Sequence, residues 1–260
     1  MLYPVNFLKN LGKTILQIDF IGPRYLKGNS KPLHFISLKY TKPFKLHIFI
    51  RIKSQTTTEA LNSFYILFFV LKLPIPNVVQ MDNDSAFRGC IEKKGRIGRI
   101  IIWLCNNGII PLFNATSSPW NNGSVEGGNS VFDKKFWQAF QFTSAEEVDQ
   151  KLEEFNNAYQ TYLINDRNKI IQNKRNVSDP RTNTQIKKFL QKNLYLLRIV
   201  KEQYDKCYVE VLNFYINLPA QYKGQFVIIK ILLDSGFISI YQEIEEQLVL
   251  IKTETIFIQK

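Results

Sequence analysis

The order of strand-like and helix-like segments constrains the fold of this chain most strongly. Apolar residues alternate with polar ones at 14–22, 33–40 and 45–52, which predicts three consecutive strands. An apolar helix at about 56–73 and a short apolar strand at 77–81 follow. A helix at 98–107, a strand at 109–113, a short helix through residue 126 and a helix from 144 to about 162 come next. This order predicts an α/β fold with a mixed sheet flanked by helices.

Helix starts and stops in this region are marked by local signals. Thr56 with Glu59, and Ser144 with Glu147, have the spacing of capping boxes. Gly108 is predicted to cap the C-terminus of the helix at 98–107. These signals fix the expected positions of the helices between the strands.

The composition changes in the last third of the chain. Residues 166–181 are polar and charged, and a helix is predicted at about 184–202. Five short β-rich runs after residue 204 predict a small barrel or open sheet. We therefore predict an N-terminal remnant at 1–13, a core at 14–166, a basic linker and helix at 167–203, and a small all-β domain at 204–260.

Charge and composition narrow the class of partner. The formal net charge is +12 and 45% of residues are hydrophobic, so we expect a folded protein that meets a polyanion. Solubility alone is the simpler explanation of the charge. Three cysteines without CxxC spacing and two histidines exclude a zinc finger and favour a reducing compartment. With no signal peptide and no run long enough to span a bilayer, we expect a cytoplasmic protein without a membrane partner.

Three acids lie at positions that suggest a function. Two are in or directly after a predicted buried strand, where an ionised carboxylate is energetically unfavourable, and one is at the N-terminus of a predicted helix. Asp19 lies in the first predicted strand, Asp82 directly follows the fourth, and Glu126 follows Asn-Asn-Gly at the start of a helix. A buried carboxylate needs a partner or a cation, and sites collect at strand ends. Three such ligands suit Mg²⁺ or Mn²⁺, and two ions about 4 Å apart promote phosphodiester chemistry. The simpler explanation of Glu126 is a favourable charge at a helix N-terminus.

Three sequence words around these acids resemble those of a known family. They are QIDFIGPRYLKG, VQMDNDSAFRG and PWNNGSVEGGNSVFDKKF. Together they resemble the catalytic core of DDE transposases and retroviral-type integrases, in particular bacterial insertion-sequence integrases. The resemblance implies a ribonuclease H-like core followed by a small SH3-like barrel. It also implies that Asp19, Asp82 and Glu126 are the catalytic residues and the ligands of two Mg²⁺ or Mn²⁺ ions.

The resemblance implies DNA integration by metal-dependent nicking and 3′-hydroxyl strand transfer. The expected partner is double-stranded DNA, both element ends and target, bound by a homo-oligomer associated with the nucleoid. Predicted DNA contacts lie in and after the loop that precedes Glu126: Trp120, Asn121, Asn122, Asn129, Lys134 and Lys135. A half-buried turn tryptophan and a solvated lysine face are the simpler alternatives. The linker residues Lys169, Lys174, Arg175 and Arg181 have the same two interpretations.

Some features depart from the family. Only 18 residues precede Asp19, so we expect no helix-turn-helix region before the core. Gly127 and Gly128 stand where a basic or bulky residue is usual. The 43 residues between Asp82 and Glu126 instead resemble the long spacing of the insertion-sequence integrases, and the extra length, IEKKGRIGRI, is expected to form a loop before the helix. A catalytically inactive DNA-binding remnant and a plain ribonuclease H-like nuclease therefore remain alternatives. A glycosyltransferase metal site at Asp82 and Asp84 is a weaker one.

The remaining candidate residues are predicted to be structural. His34 and His47 lie in strands and are not expected to act in catalysis. The apolar face of the helix after Glu126 is predicted to be core and comprises Val125, Phe132, Phe136 and Phe140. Asp84 is expected to cap the turn before Phe87, or to support a metal ligand without contacting the metal itself.

Overall fold

A computed structural model describes residues 3–89, 93–115, 123–163, 176–182 and 191–259, without the side chains of 123–126, 162 and 163. The chain divides into two compact units. The first unit comprises Met1–Lys13, Asn77–Ser118 and Asn183–Lys260, and the second comprises Thr14–Pro76 and Pro119–Thr182. Within the described residues, no helix is both long and apolar enough to cross a membrane.

The elements follow the chain in this order. The strands are β1 (Ile15–Tyr25), β2 (Pro32–Lys42), β3 (Leu46–Ile52), β4 (Val78–Met81), β5 (Ile110–Phe113), β6 (Asn193–Ile199), β7 (Lys201–Gln203), β8 (Lys206–Val211), β9 (Phe214–Leu218), β10 (Phe226–Leu232), β11 (Phe237–Ile244) and β12 (Gln247–Thr255). The helices are α1 (Val5–Leu11), α2 (Thr57–Tyr65), α3 (Ser85–Arg88), α4 (Arg99–Asn106), α5 (Gly123–Phe132) and α6 (Ala145–Leu163). Short π-helical turns extend α2 over Ile66–Val70 and α5 over Asp133–Trp137. A mixed α/β architecture is thus confirmed.

The second unit is built on the predicted three-stranded meander. β1 pairs antiparallel with β2, and β2 with β3. The predicted caps are also confirmed, because the Thr56 side chain accepts from Glu59 N and the Ser144 side chain accepts from Glu147 N. The edge strand β3 is covered by amide side chains of α6. Asn156 bonds both the N–H and the C=O of Phe49, and Gln160 bonds those of His47.

An aromatic core holds α5 and its π-helical extension on this meander. The ring of Phe132 lies 5.1 Å from that of Phe35 and 4.9 Å from that of Phe49. Phe132 and Phe136 are fully buried, as predicted. Phe140 is 45% exposed, so its assignment to the core is wrong. It lies beyond the π-helical turn, where the apolar periodicity of the helix no longer applies. The side chain of Val125 lies outside the description.

The first unit holds a mixed sheet in which the strand order is β12-β11-β10-β6-β5-β4. β4, β5 and β6 run parallel, and the strands on the β12 side are antiparallel. α4 carries the fully buried side chains of Trp103 and Leu104, and Gly108 follows it with a φ of 71°. A separate antiparallel sheet contains β7, β8 and β9.

The prediction of a helix at 184–202 is wrong over its second half. Residues 193–199 and 201–203 are the strands β6 and β7, whereas 183–190 lie outside the description. The run NLYLLRI is rich in good helix formers. Pairing with β5 on one side and β10 on the other overrides that local preference.

The C-terminal strands also differ from a self-contained barrel at 204–260. They begin at Asn193, before the predicted boundary, and are shared between two sheets. β6 joins β10, β11 and β12 to the sheet of β4 and β5. Pairing of β5 with β6 joins residues 110–113 to residues 193–199 within the first unit.

Candidate active site

The carboxylate of Asp19 is held by a residue of α5. Asp19 lies on β1, partly buried, opposite Ser37 of β2. Asn129 Nδ2 donates a hydrogen bond of 3.1 Å to Asp19 Oδ2. Asn129 is three residues beyond Glu126, so the two positions share one side of α5. The backbone of α5 thus carries the Glu126 position on the side that bonds Asp19. The side chain of Glu126 is outside the description.

A glycine allows α5 to lie this close to the meander. A Cβ atom on Gly128 would overlap the imidazole of His47, whereas one on Gly127 would meet open space. Gly128 is buried and Gly127 is exposed. The glycine pair that departs from the family pattern therefore has a local packing reason at Gly128.

His47, the residue that Gly128 packs against, is buried and uncharged. Its Nε2 lies 2.7 Å from Ser37 Oγ, and both residues are fully buried. Burial, and secondarily the charge of Lys39, lowers the pKa of His47 to about 3. The imidazole is therefore uncharged at neutral pH, as a packing residue requires. His34 lies opposite Ile52 in the same pair of strands.

Asp82 stands at the carboxyl end of a parallel strand. It follows Met81, whose partner across β4 and β5 is Phe113. Burial raises the pKa of Asp82, and the charge of Asp84 raises it further, while a 3.0 Å bond from Asp84 N lowers it. Asp84 caps α3 by accepting from Ala86 N at 2.7 Å, so its predicted capping role is confirmed.

Asn114 connects the strand ends around Asp82. It directly follows β5, and its N–H donates to Met81 O at 2.9 Å. Its carbonyl accepts from Asn83 Nδ2 at 2.6 Å and from Arg198 Nη1 at 3.0 Å, and its Oδ1 accepts from Gln80 Nε2 at 2.7 Å. One residue thus ties together the ends of β4 and β5 and the arginine of β6.

Arg198 is a buried cation that extends this network. Its side chain is 4% exposed, and it also donates to the carbonyls of Leu197 and Glu210. Burial and the nearby charge of Arg88 lower the pKa of Arg198 to about 10, while Glu210 raises it. Arg88 Nη2 pairs with Glu210 Oε1 at 3.0 Å. Sequence reasoning missed Arg198 and Asn114, although an arginine in the apolar run LYLLRIV was a signal of a satisfied buried charge.

The predicted DNA contacts are only partly described. Trp120, Asn121 and Asn122 lie outside the described residues, as do Lys169, Lys174 and Arg175. Lys134 and Lys135 are exposed on the π-helical turn after α5. Arg181 pairs with Asp179 at 2.7 Å and stacks on Tyr65, 3.3 Å from the ring centroid.

No family model matches the chain, and no curated protein matches it. Among the described side chains, which do not include that of Glu126, no three acids, histidines or cysteines form a group able to hold a metal ion.

Proposed function

We propose that the chain is a DDE-type polynucleotidyl transferase with a ribonuclease H-like core. Its substrate is double-stranded DNA, and its reaction is nicking followed by 3′-hydroxyl strand transfer. Asp19, Asp82 and Glu126 hold the divalent cations, Mg²⁺ or Mn²⁺. The proposal extends to a homo-oligomer that brings element ends and target together.

The contact between Asn129 and Asp19 is the observation that carries the proposal. It orients one carboxylate from the first strand with an amide that is one helical turn from Glu126. The resemblance of the sequence motifs implies that the helix carrying Glu126 lies close to Asp19. A glutamate that served only the helix dipole would not need its helix to face another acid.

The donor set fits hard divalent cations. Asp82 is partly buried and burial raises its pKa, so its ionised form is less favourable there than in water. A cation that contacts this carboxylate would favour the ionised form. When two such ions are bound, they activate the attacking oxygen and stabilise the leaving one. Asn129 orients Asp19, and Asp84 N–H holds one oxygen of Asp82, leaving the other for a ligand.

The charge of the chain supports a nucleic acid as substrate. A net charge of +12 attracts a polyanion, and Lys134 and Lys135 are exposed just beyond α5. With Trp120, Asn121, Asn122 and Asn129 they form the proposed DNA contact. Asn129 has a second role in this account, since it already bonds Asp19.

A strand-transfer assay tests this function. Duplexes with pre-cut 3′-hydroxyl ends and randomised terminal base pairs are incubated with plasmid and Mg²⁺ or Mn²⁺, and joined products are sequenced. The chain, Asp82→Asn and Glu126→Gln are compared with Asp149→Asn, which removes an acid that pairs with Arg51 in the second unit. We expect joined products from the chain and the Asp149 variant only.

Other outcomes separate the alternatives. Metal-dependent cleavage without joining would indicate a plain nuclease of the same fold. Salt-sensitive DNA binding without any cleavage, unchanged in the Asp82 and Glu126 variants, would indicate a DNA-binding remnant. Joining that survives both substitutions would contradict the proposed roles of these acids.

A further inference from the structure

We propose that the sheet of β7, β8 and β9 binds single-stranded nucleic acid by stacking unpaired bases on Tyr208 and Tyr215. This site lies outside the acids of the proposed function. Binding here requires no metal ion and no bond cleavage, so the inference holds or fails separately from that function.

The two faces of this small sheet differ sharply. The inner face carries the buried apolar side chains Cys207, Val209, Val211, Ile216 and Leu218. The residues that alternate with them point the other way, and they include Lys206, Tyr208, Tyr215 and Asn217. The outer face therefore presents aromatic rings among polar and basic groups and one acid, Glu210.

The aromatic rings of the outer face are accessible and adjacent. Tyr215 is 69% exposed, and its ring centroid lies 5.3 Å from that of Tyr208 at an angle of 84°. Tyr204, in the turn between β7 and β8, is 88% exposed. These rings border a shallow groove of about 270 Å³, which is lined by Gln203, Tyr204, Lys206, Tyr208, Tyr215 and Asn217. Exposed tyrosines beside amides and a lysine are suited to a planar, polar ligand with negative charge.

One lysine of β7 is in register with a tyrosine of β8. Lys201 lies directly opposite Tyr208, and Gln203 opposite Lys206, in the pairing of β7 with β8. Glu210, which lies opposite Tyr215, is paired with Arg88, so its charge is offset. Lys201 and Lys206 are exposed and can reach phosphates on either side of a stacked base.

The segment that lengthens the spacing between Asp82 and Glu126 packs against the same sheet. Gly95 N donates to Leu212 O at 2.9 Å, and Asn213 Nδ2 donates to Lys93 O at 3.3 Å. Lys94 Nζ lies 5.8 Å from the ring centroid of Phe214. Gly95 itself has a φ of 70° and no room for a side chain beside Phe257 O. The segment thus reaches the turn between β8 and β9, and Lys94 lies beside Phe214, on the face of the sheet opposite to Tyr215.

Exposed tyrosine rings on this face favour an unpaired strand over a duplex as the ligand. Bases in a duplex are stacked on one another, so their faces are closed to a protein side chain, whereas every unpaired base offers a face. Lys201 and Lys206 lie beside Tyr208 on the outer face, where they can contact the phosphates of such a strand. A neutral sugar polymer would use the rings but not the lysines.

Fluorescence anisotropy of the full chain in EDTA tests this site. The probe is a fluorescein-labelled 20-nucleotide oligothymidylate, with a 20-base-pair duplex for comparison. Tyr208→Ala and Tyr215→Ala are each expected to weaken binding of the oligothymidylate about tenfold. Tyr208→Phe and Tyr215→Phe, which keep the rings, are expected to bind as the unchanged chain does. Tyr25→Ala removes an exposed tyrosine from the second unit and is the matched control.

The lysines have a separate readout. Lys201→Ala with Lys206→Ala is expected to reduce the slope of log affinity against log salt by about 0.7 for each phosphate that a lysine no longer neutralises. Photocrosslinking of the oligothymidylate to a peptide containing β8 and β9 checks the site without any substitution. Unchanged affinity in both alanine variants, crosslinks elsewhere, or equal losses in the phenylalanine variants would overturn the proposal. So would displacement of the probe by a neutral polysaccharide.

Discussion

The regions around Asp19 and Asp82 hold their carboxylates by different physical means. Around Asp19, aromatic packing and a glycine set the position of α5, and the amide of Asn129 bonds the acid. Around Asp82, hydrogen bonds from Asn114 and Arg198 hold the ends of parallel strands. The first region depends on shape and the second on buried polar groups. They should therefore fail in response to different substitutions.

The largest expected loss of stability is in the region around Asp82, which buried polar groups hold together. Arg198→Ala leaves the buried carbonyls of Asn114, Leu197 and Glu210 without this donor and opens a cavity. We expect a loss of about 3–5 kcal/mol in the free energy of unfolding, measured by urea denaturation.

The control for Arg198 is an arginine in a more exposed pair. Arg51 pairs with Asp149 at the surface, so Arg51→Ala should cost about 1 kcal/mol or less. Equal effects of the two substitutions would show that the buried network does not hold the Asp82 region.

The next largest effect concerns the close packing of α5 on the meander near Asp19. Gly128→Ala places a methyl group into the ring of His47 and should cost about 1–3 kcal/mol. Gly127→Ala, one residue away in open space, should stabilise α5 by about 0.5–1 kcal/mol through helix propensity. Thermal unfolding of both variants measures the difference.

A double substitution shows whether His47 is the cause. Replacing His47 by Ala should cost less in the Gly128→Ala chain than in the unchanged chain, because the overlap is relieved. If the losses of stability in the two single variants simply add in the double variant, α5 does not pack against the imidazole of His47.

The smallest effect concerns the charge of Asp82. Burial raises its pKa in the folded chain, so the folded state binds this proton more tightly than the unfolded one. Stability contributed by the protonated form is lost as pH rises through the folded pKa. In EDTA, Asp82→Asn should therefore melt above the unchanged chain at pH 7.5, and the gap should narrow as pH falls.

Magnesium should reverse that order. The unchanged chain is expected to gain melting temperature with Mg²⁺, whereas Asp82→Asn gains little, because it lacks a ligand for the ion. An Asp82 variant that melts lower than the unchanged chain at every pH in EDTA would mean that this carboxylate is compensated without a metal.

Sequence patterns predicted the parts of the fold that are local. The meander, the caps at Thr56 and Ser144, and the strands next to Asp82 follow from apolar periodicity and capping residues. The strand character of NLYLLRI did not, because it depends on pairing with β5 and β10, which lie far away in the sequence. Long-range pairing is the information that a propensity scale lacks.

The same limit applies to the candidate site. Asp19, Asp82 and Glu126 were proposed because acids in strands and at a helix start are conspicuous, and because the words around them resemble a known family. Asn114, Arg198 and the fit of Gly128 on His47 were missed, because each acts through a partner distant in sequence. The sequence shows the pair Gly127-Gly128, but only the packing against His47 explains why residue 128 is a glycine.

The most direct test of the central claim asks whether the three acids share a metal. Fe²⁺ replaces Mg²⁺ in the full chain, and ascorbate with peroxide then cleaves the backbone beside the bound ion. Fragments are identified by mass spectrometry. The account predicts cuts near Asp19, Asp82 and Glu126 together, suppressed by excess Mg²⁺ and abolished at all three positions in Asp82→Asn. Cuts confined to one of these segments, or unchanged in that variant, would contradict it.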